Sequence, residues 1–161
     1  MRAQGTPAVG ERRDAVPGPT VHFRLTARWA VEEGMDAASA EVVGRASLLV
    51  DQLWPGSHRP LRHFNPTASL LFAPLEMRRA IRAVRSGDRE GALTHLGYSL
   101  HSRQDAIGHG RFAQNHLLLR AGLLARDPDD WARMPPSVQA RIERATRQAV
   151  RRFLAATAVT A

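Results

Sequence analysis

The apolar residues of this chain recur at helical spacing along most of its length. Near the C-terminus, Val138, Ile142, Ala145, Ala149 and Phe153 return every three or four positions, which places them on one face of a helix. The same pattern, with Gly and Pro as stop signals, predicts helices over 21–33, 36–51, 67–86, 89–108, 112–124 and 136–156 and a helical turn over 130–134. No stretch alternates like a strand, so we predict an all-α, single-domain bundle of five to seven helices.

Caps and a long loop divide the predicted helices. Asp36 is expected to cap the second helix and Thr67 the third, in which Pro74 marks a kink or break. Residues 54–66 contain three Pro and one Gly and are predicted to form a loop whose length favours a functional role. Residues 1–19 are expected to be a disordered or loosely ordered tail before a helical domain of 20–161.

Composition restricts the chemistry that is available to the chain. It contains no Cys, which excludes disulfides and thiolate metal sites, so a metal would be held by His and carboxylates. All 23 basic residues are Arg and they outnumber the 15 acids, and the net charge of +8 favours anionic partners such as phosphates, nucleic acid or acidic lipid headgroups. We see neither a membrane span nor an apolar secretion signal, and expect a cytoplasmic protein of undetermined oligomeric state.

Three potential metal ligands, His101, Asp105 and His109, follow one another at steps of four residues. Positions i and i+4 lie on one face of a helix, so His101 and Asp105 could hold one divalent ion together. His109 stands about 12 Å from His101 along the axis of an unbroken helix, so these two would bind different ions. A hydrogen-bonded network of the three side chains without metal explains the spacing equally well.

Three segments carry a resemblance to a known superfamily. The stretch GYSLHSRQDAIGH at 97–109 resembles the LG-x-x-LH-x-x-QD-x-x-x-H segment of the zinc-dependent phospholipase C and S1/P1 nuclease superfamily. VHFRLT at 21–26 is similar to the early TH-x-x-I-T helix of that group. Asp51, followed by HFNP at 63–66, is similar to its Asp and HF-D/N-P loop. In total the resemblance covers residues 21–116.

The resemblance implies an all-helical fold with up to three zinc ions and the hydrolysis of phosphoric esters by a metal-bound hydroxide that attacks phosphorus. The first ion would be held by Asp51, His63, His101 and Asp105. Asp105 would also bridge towards an ion held by His22. A further ion would be bound by His109 and His116. Asp51 and Asp105 would be the catalytic residues, because clustered cations and carboxylates activate water and offset charge at phosphorus.

Departures from the family pattern reduce the expected number of ions to one or two. Arg120 stands four residues after His116, where the family usually places an acidic ligand. Met1 lies well before His22, whereas secreted relatives supply a processed N-terminal Trp as a ligand. The substrate would be a phospholipid headgroup ester, a nucleotide or a phosphorylated metabolite. Candidate substrate-binding residues are Trp54, His58, Arg103 and Arg120.

Two other functions agree with the sequence. A cytosolic biosynthetic tailoring enzyme on the same scaffold would use a reduced metal site, or His and Asp as acid and base. A non-catalytic, Arg-rich helical module would bind nucleic acid or an acidic partner and keep its histidines as buried structure. Metal content separates the hydrolase from the binding module, and a steep salt dependence would identify nucleic-acid binding.

Overall fold

The computed structural model describes residues 19–53, 60–63, 67–109 and 130–158. These stretches contain helices and no strand, which confirms the all-α prediction for them. In chain order the elements are a first π-helical segment Pro19–Leu25, α1 Thr26–Glu32, α2 Ala37–Leu53, α3 Pro60–His63, a second π-helical segment Ala68–Phe72, α4 Ala73–Arg85, α5 Arg89–Gly108, a 3-10 turn Trp131–Arg133 and α6 Pro136–Ala158. None of the described helices combines the length and apolarity needed to cross a membrane.

Several predictions fall on residues outside the described ranges. They are the N-terminal tail of 1–19 except for its last residue, the helix over 112–124, and most of the loop over 54–66. Within that loop the described part, α3, is a single helical turn that ends at His63.

Turns and caps set the ends of the central helices as the sequence predicts. Gly34 ends the first helical region with a φ of 99°, a left-handed conformation that glycine adopts without strain. Asp36 accepts a hydrogen bond from the Ser39 amide at 2.9 Å and thereby caps α2. Asp88 does the same for α5 through the Gly91 amide at 2.8 Å. The predicted bounds of 89–108 for α5 are confirmed.

Two predicted helices begin differently from the expectation. The helix expected over 21–33 opens as the first π-helical segment, and the hydroxyl of Thr26 donates to the Val21 carbonyl at 2.8 Å within this wide turn. The helix expected over 67–86 consists of two parts, the second π-helical segment and α4. Thr67, the expected cap, makes no side-chain cap bond. Pro74 lies in the first turn of α4, directly after the second π-helical segment, which is where its missing N–H interrupts the regular hydrogen-bond pattern.

The helix α5 lies at the centre of the described structure, packed against α2, α4 and α6. Its apolar residues Leu93, Leu96 and Leu100 belong to a core that also includes Met77 and Val150. Because α5 is enclosed by other helices, its C-terminal half buries polar side chains as well as apolar ones. Such side chains require partners inside the protein, and these partners form the candidate site.

Two glycines allow the elements around α5 to approach closely. A Cβ atom at Gly97 of α5 would lie 2.6 Å from the Val43 carbonyl oxygen of α2. A Cβ atom at Gly44 of α2 would lie 2.8 Å from the Phe23 carbonyl oxygen in the first π-helical segment. Both distances are shorter than a real side chain tolerates, so the absence of a Cβ lets α2 and the π-helical segment pack where the site requires them.

Candidate metal centre

Five ligand-type side chains converge beside the C-terminal half of α5. They are His22 of the first π-helical segment, Asp51 of α2, His63 of α3, and His101 and Asp105 of α5. The helix α5 supplies two of them because residues four apart share a helix face. Asp51 is half-buried and the other four are buried, so most of this cluster is withdrawn from solvent.

Four of these side chains place one ligand atom each within 4.8 Å of one another: Asp51, His63, His101 and Asp105. Asp105 Oδ2 lies 3.0 Å from His63 Nδ1 and 3.1 Å from His101 Nε2. The two ring nitrogens are 3.0 Å apart. Asp51 Oδ1 is 3.6 Å from each of them and faces the triangle from its more exposed side.

These five distances are close to those of a tetrahedral metal site. A tetrahedron with metal–ligand bonds of about 2.0–2.1 Å has ligand–ligand distances of about 3.3 Å. This value lies between the 3.0–3.1 Å within the triangle and the 3.6 Å from Asp51 to the ring nitrogens. A proton on one ring nitrogen bonds to one neighbour and leaves other lone pairs of the triangle facing each other. A single cation at the centre meets all of these lone pairs, so the geometry fits a divalent metal ion.

A hydrogen-bond chain fixes the orientation of His22. The side-chain amide of Gln104 donates to the hydroxyls of Thr26 and Thr146, at 2.7 Å and 3.0 Å. Each hydroxyl donates its own proton to a backbone carbonyl and therefore accepts from the Gln104 N–H groups. The carbonyl oxygen of Gln104 remains free to accept a further hydrogen bond. It does so from His22 Nδ1 at 2.8 Å. The other ring nitrogen, Nε2, then faces Asp105 Oδ1 at 3.1 Å and needs a proton or a cation between them.

The electrostatics of the cluster depend on one buried carboxylate among three imidazoles. Burial by itself opposes the charge of Asp105, but His101 and the bonds from His22 and His63 outweigh it and hold its pKa well below the usual value. Burial lowers the pKa of His101, which favours its neutral form. Burial also disfavours charge on His22, yet Asp105 prevails and raises the pKa of His22 to about 9. An ionised Asp105 and a neutral His101 are the forms that bind metals.

The remaining predicted site residues lie elsewhere or outside the described ranges. His109 follows the last residue of α5, is buried, and stands one turn beyond Asp105, outside the group of four. Arg103 is about 200° around the helix from His101, so it faces away from the cluster. Burial and, second, the charge of Arg152 lower the pKa of Arg103, and Arg152 belongs to α6. The predicted residues outside the described ranges are Trp54, His58, His116 and Arg120.

Sequence reasoning missed two buried polar residues, one of which contacts a member of the cluster. Gln104 holds His22, although the two are 82 positions apart in the chain. Glu76 of α4 is 1% exposed and lies among the buried residues Ala73, Met77 and Ala80. A carboxylate on the apolar stripe of a helix is a signal that could have identified Glu76, since a buried charge requires partners. Gln104 is the Q of the QD pair in the motif at 97–109, but the motif does not indicate that this side chain holds His22.

Comparison with known protein families, characterised proteins and solved structures finds no match to this chain. The resemblance to the phospholipase C and S1/P1 nuclease superfamily therefore depends on the motifs alone and stays a prediction. The geometry is a separate observation. The four residues that the resemblance assigns to a first ion are the same four whose ligand atoms lie within 4.8 Å.

Proposed function

We propose that this chain is a zinc-dependent hydrolase of phosphoric esters. The observation that carries the proposal is the group of four ligand atoms within 4.8 Å of one another, contributed by Asp51, His63, His101 and Asp105. Two imidazoles and two carboxylates form a donor set that zinc accepts at tetrahedral sites. The low pKa of Asp105 and the neutral form of His101 support this choice, because both groups are ready to bind without losing a proton.

Burial of the cluster also favours a bound cation over a metal-free network. His63, His101 and Asp105 are all at most 5% exposed. Ionisable groups at such depth are costly unless each is paired. A divalent ion pairs all three at once. Protons either leave lone pairs facing each other or, on both ring nitrogens, place two N–H donors 3.0 Å apart.

Different residues of the cluster have different roles in the proposed reaction. When bound, a zinc ion supplies Lewis acidity, which polarises a phosphoryl oxygen and makes water acidic near neutral pH. His63, His101 and Asp105 are buried and would hold the ion, while His22 contacts the second oxygen of Asp105. The side chain of Asp51 is 41% exposed, and its Oδ1 stands 3.6 Å from both ring nitrogens, farther than Asp105 does. Asp51 would therefore be the ligand that gives way to an incoming water and then accepts its proton.

The charge of the protein supports a phosphoric ester as the substrate. The net charge of +8 raises the local concentration of anions, and phosphoric esters are anionic at neutral pH. The three substrate classes expected from the sequence share this group. We therefore propose the ester of phosphoric acid as the reacting part of the substrate and assign no particular leaving group.

Elemental analysis of protein purified without a histidine tag tests the metal centre. We expect about one zinc ion per chain or more, and less than a tenth of that content in Asp105→Asn and His101→Ala, because each change removes a buried ligand. Asp36→Asn is the matched control, since Asp36 is an exposed carboxylate on another part of the surface. Zinc-free wild-type protein, or an Asp105→Asn protein that retains full zinc, would contradict the proposal.

Hydrolysis of p-nitrophenyl phosphate and of its diester tests the reaction. We expect turnover by the zinc-loaded protein and its loss after chelation. Asp51→Asn should lower the rate by about 10²-fold, because a positioned general base contributes about that much. Stoichiometric zinc without turnover of either ester would favour the tailoring enzyme on the same scaffold.

A further inference from the structure

Glu76 is a buried carboxylate that the proposed reaction does not use. Three cationic or ionisable side chains from three elements surround it. Arg79 of α4 lies 2.9 Å from its Oε1, His95 of α5 lies 2.7 Å from its Oε2, and Arg62 of α3 approaches Oε1 to 3.6 Å. Glu76 therefore joins α3, α4 and α5 at one point, and its burial leaves these contacts weakly screened by water.

The contact with Arg62 matters because α3 is a single turn of four residues. A helix of this length has no stability of its own, so the contacts of its side chains set its position. Two contacts of Arg62 with described residues serve this purpose. Its guanidinium carbon stands 4.7 Å from the centre of the Phe72 ring, and its Nη1 reaches Glu76. The side chain of Arg62 is 19% exposed, so it is enclosed between α4 and the second π-helical segment.

The residue after Arg62 is His63, the one ligand that α3 gives to the metal centre. His63 Nδ1 lies 3.0 Å from both Asp105 Oδ2 and His101 Nε2. A displacement of α3 by one ångström changes these distances by a third. The other described ligands belong to longer elements that are held by their own packing. His63 is thus the ligand whose position depends most on neighbouring anchors.

We infer that Glu76 is a positioning residue for the metal centre, which acts through Arg62 to hold His63 at bonding distance from the ion. An apolar residue at position 76 would fill the space but would leave Arg62 without its carboxylate. The inference rests on the proposed function, because a precise position of His63 matters only if the cluster binds a cation. It adds a group that touches neither the metal nor the substrate but controls the geometry of one ligand.

A double-mutant cycle on zinc affinity tests the inference. Affinities for Zn²⁺ are measured by competition with a chromophoric chelator for wild type, Glu76→Gln, His63→Ala and the double variant. We expect Glu76→Gln to weaken binding by about 10-fold to 100-fold, the range found for residues that orient metal ligands. In the His63→Ala background the same change should have no effect, because the ligand that it positions is gone.

Glu41→Gln is the matched control, because Glu41 pairs with Arg45 on the exposed face of α2 and should leave the affinity unchanged. Arg62→Met provides a second route to the same test if Glu76→Gln does not fold. It removes the guanidinium and leaves Glu76 paired with Arg79 and His95. The loss of affinity should again require His63.

Each result of the cycle decides the inference. An equal loss of zinc affinity in the wild-type and His63→Ala backgrounds would mean a general effect on the fold and would overturn the inference. An unchanged affinity in both Glu76→Gln and Arg62→Met would also overturn the inference. If wild-type protein does not bind Zn²⁺, the metal centre itself fails and the inference falls with it. The two failures are distinguishable, because only the first leaves a zinc-binding wild type.

Discussion

Gln104 sets the direction of the hydrogen bonds around His22. Its amide has two N–H donors, and both are taken by threonine hydroxyls whose own protons are already used. The carbonyl oxygen of Gln104 therefore accepts from His22 Nδ1, and His22 Nε2 faces Asp105. At this scale a neutral, buried amide determines which ring nitrogen of a histidine is turned to the metal centre.

Replacement of Gln104 by Leu should lower the free energy of unfolding by about 1–3 kcal/mol, because it leaves the buried Nδ1–H of His22 without an acceptor. Urea denaturation followed by circular dichroism measures this change. Gln148→Leu makes the same substitution at an exposed position of α6 and should stay within about 0.5 kcal/mol of wild type. Equal effects of the two substitutions would show that the hydrogen bonds of Gln104 make no specific contribution to stability.

At the scale of elements, the separation of α2 and α5 decides whether Asp51 reaches the cluster. These helices meet where Gly97 faces Val43 and Ala46. Asp51 is two turns further along α2 than Val43, and Asp105 is two turns further along α5 than Gly97. The close contact at Gly97 therefore brings the ends of both helices together, with their carboxylates on facing sides.

Gly97→Ala should destabilise the protein by about 1–3 kcal/mol, because its Cβ would lie 2.6 Å from backbone and side-chain atoms of α2. It should also reduce zinc content, since α2 must move away and takes Asp51 with it. The control is Gly108→Ala in the same helix, whose Cβ would meet only side-chain atoms at 3.6 Å and 3.8 Å. That change should alter stability by less than about 1 kcal/mol. Thermal unfolding and elemental analysis of both variants provide the measurements.

At the scale of the whole molecule, ion pairs connect the first and last described helices. Glu33, directly after α1, accepts from Arg147 at 3.1 Å and from Arg151 at 2.8 Å, both on α6. Arg147 also pairs with Glu32 and with Glu143. These residues lie near the surface, so each pair contributes little by itself, and salt weakens the group.

The stability contributed by Glu33 should depend on pH. Partial burial acts to raise the pKa of Glu33, but the bonds from Arg151 and Arg147 prevail and lower it from its ordinary value of 4.5. A lowered folded-state pKa means that the stabilisation is complete above 4.5 and disappears as the pH falls through the folded-state value. The difference in unfolding free energy between wild type and Glu33→Gln should therefore shrink on acidification. Chemical denaturation at several pH values measures it, and a constant difference would contradict the assignment.

Part of the candidate site could be predicted from the sequence and part could not. The shared face of His101 and Asp105 follows from their spacing, and the structure confirms that their side chains lie together, 3.1 Å apart. The addition of Asp51 and His63 came only from the resemblance, because no local rule relates them to Asp105, which lies 54 and 42 positions further along the chain. Gln104 and Glu76 were missed, since most of their partners lie on other elements.

The sequence by itself determined that the described elements are helical and where α5 begins and ends, whereas two other helices begin differently from the prediction. Hydrogen bonds within a helix and at its caps join residues a few positions apart, so local signals such as Gly87 and Asp88 mark the start of α5. The tertiary structure decided which helices meet and at what distance. That outcome depends on the packing of side chains from remote parts of the chain, as at Gly97. This packing also brings three imidazoles to Asp105, whose contacts keep its carboxylate ionised despite burial.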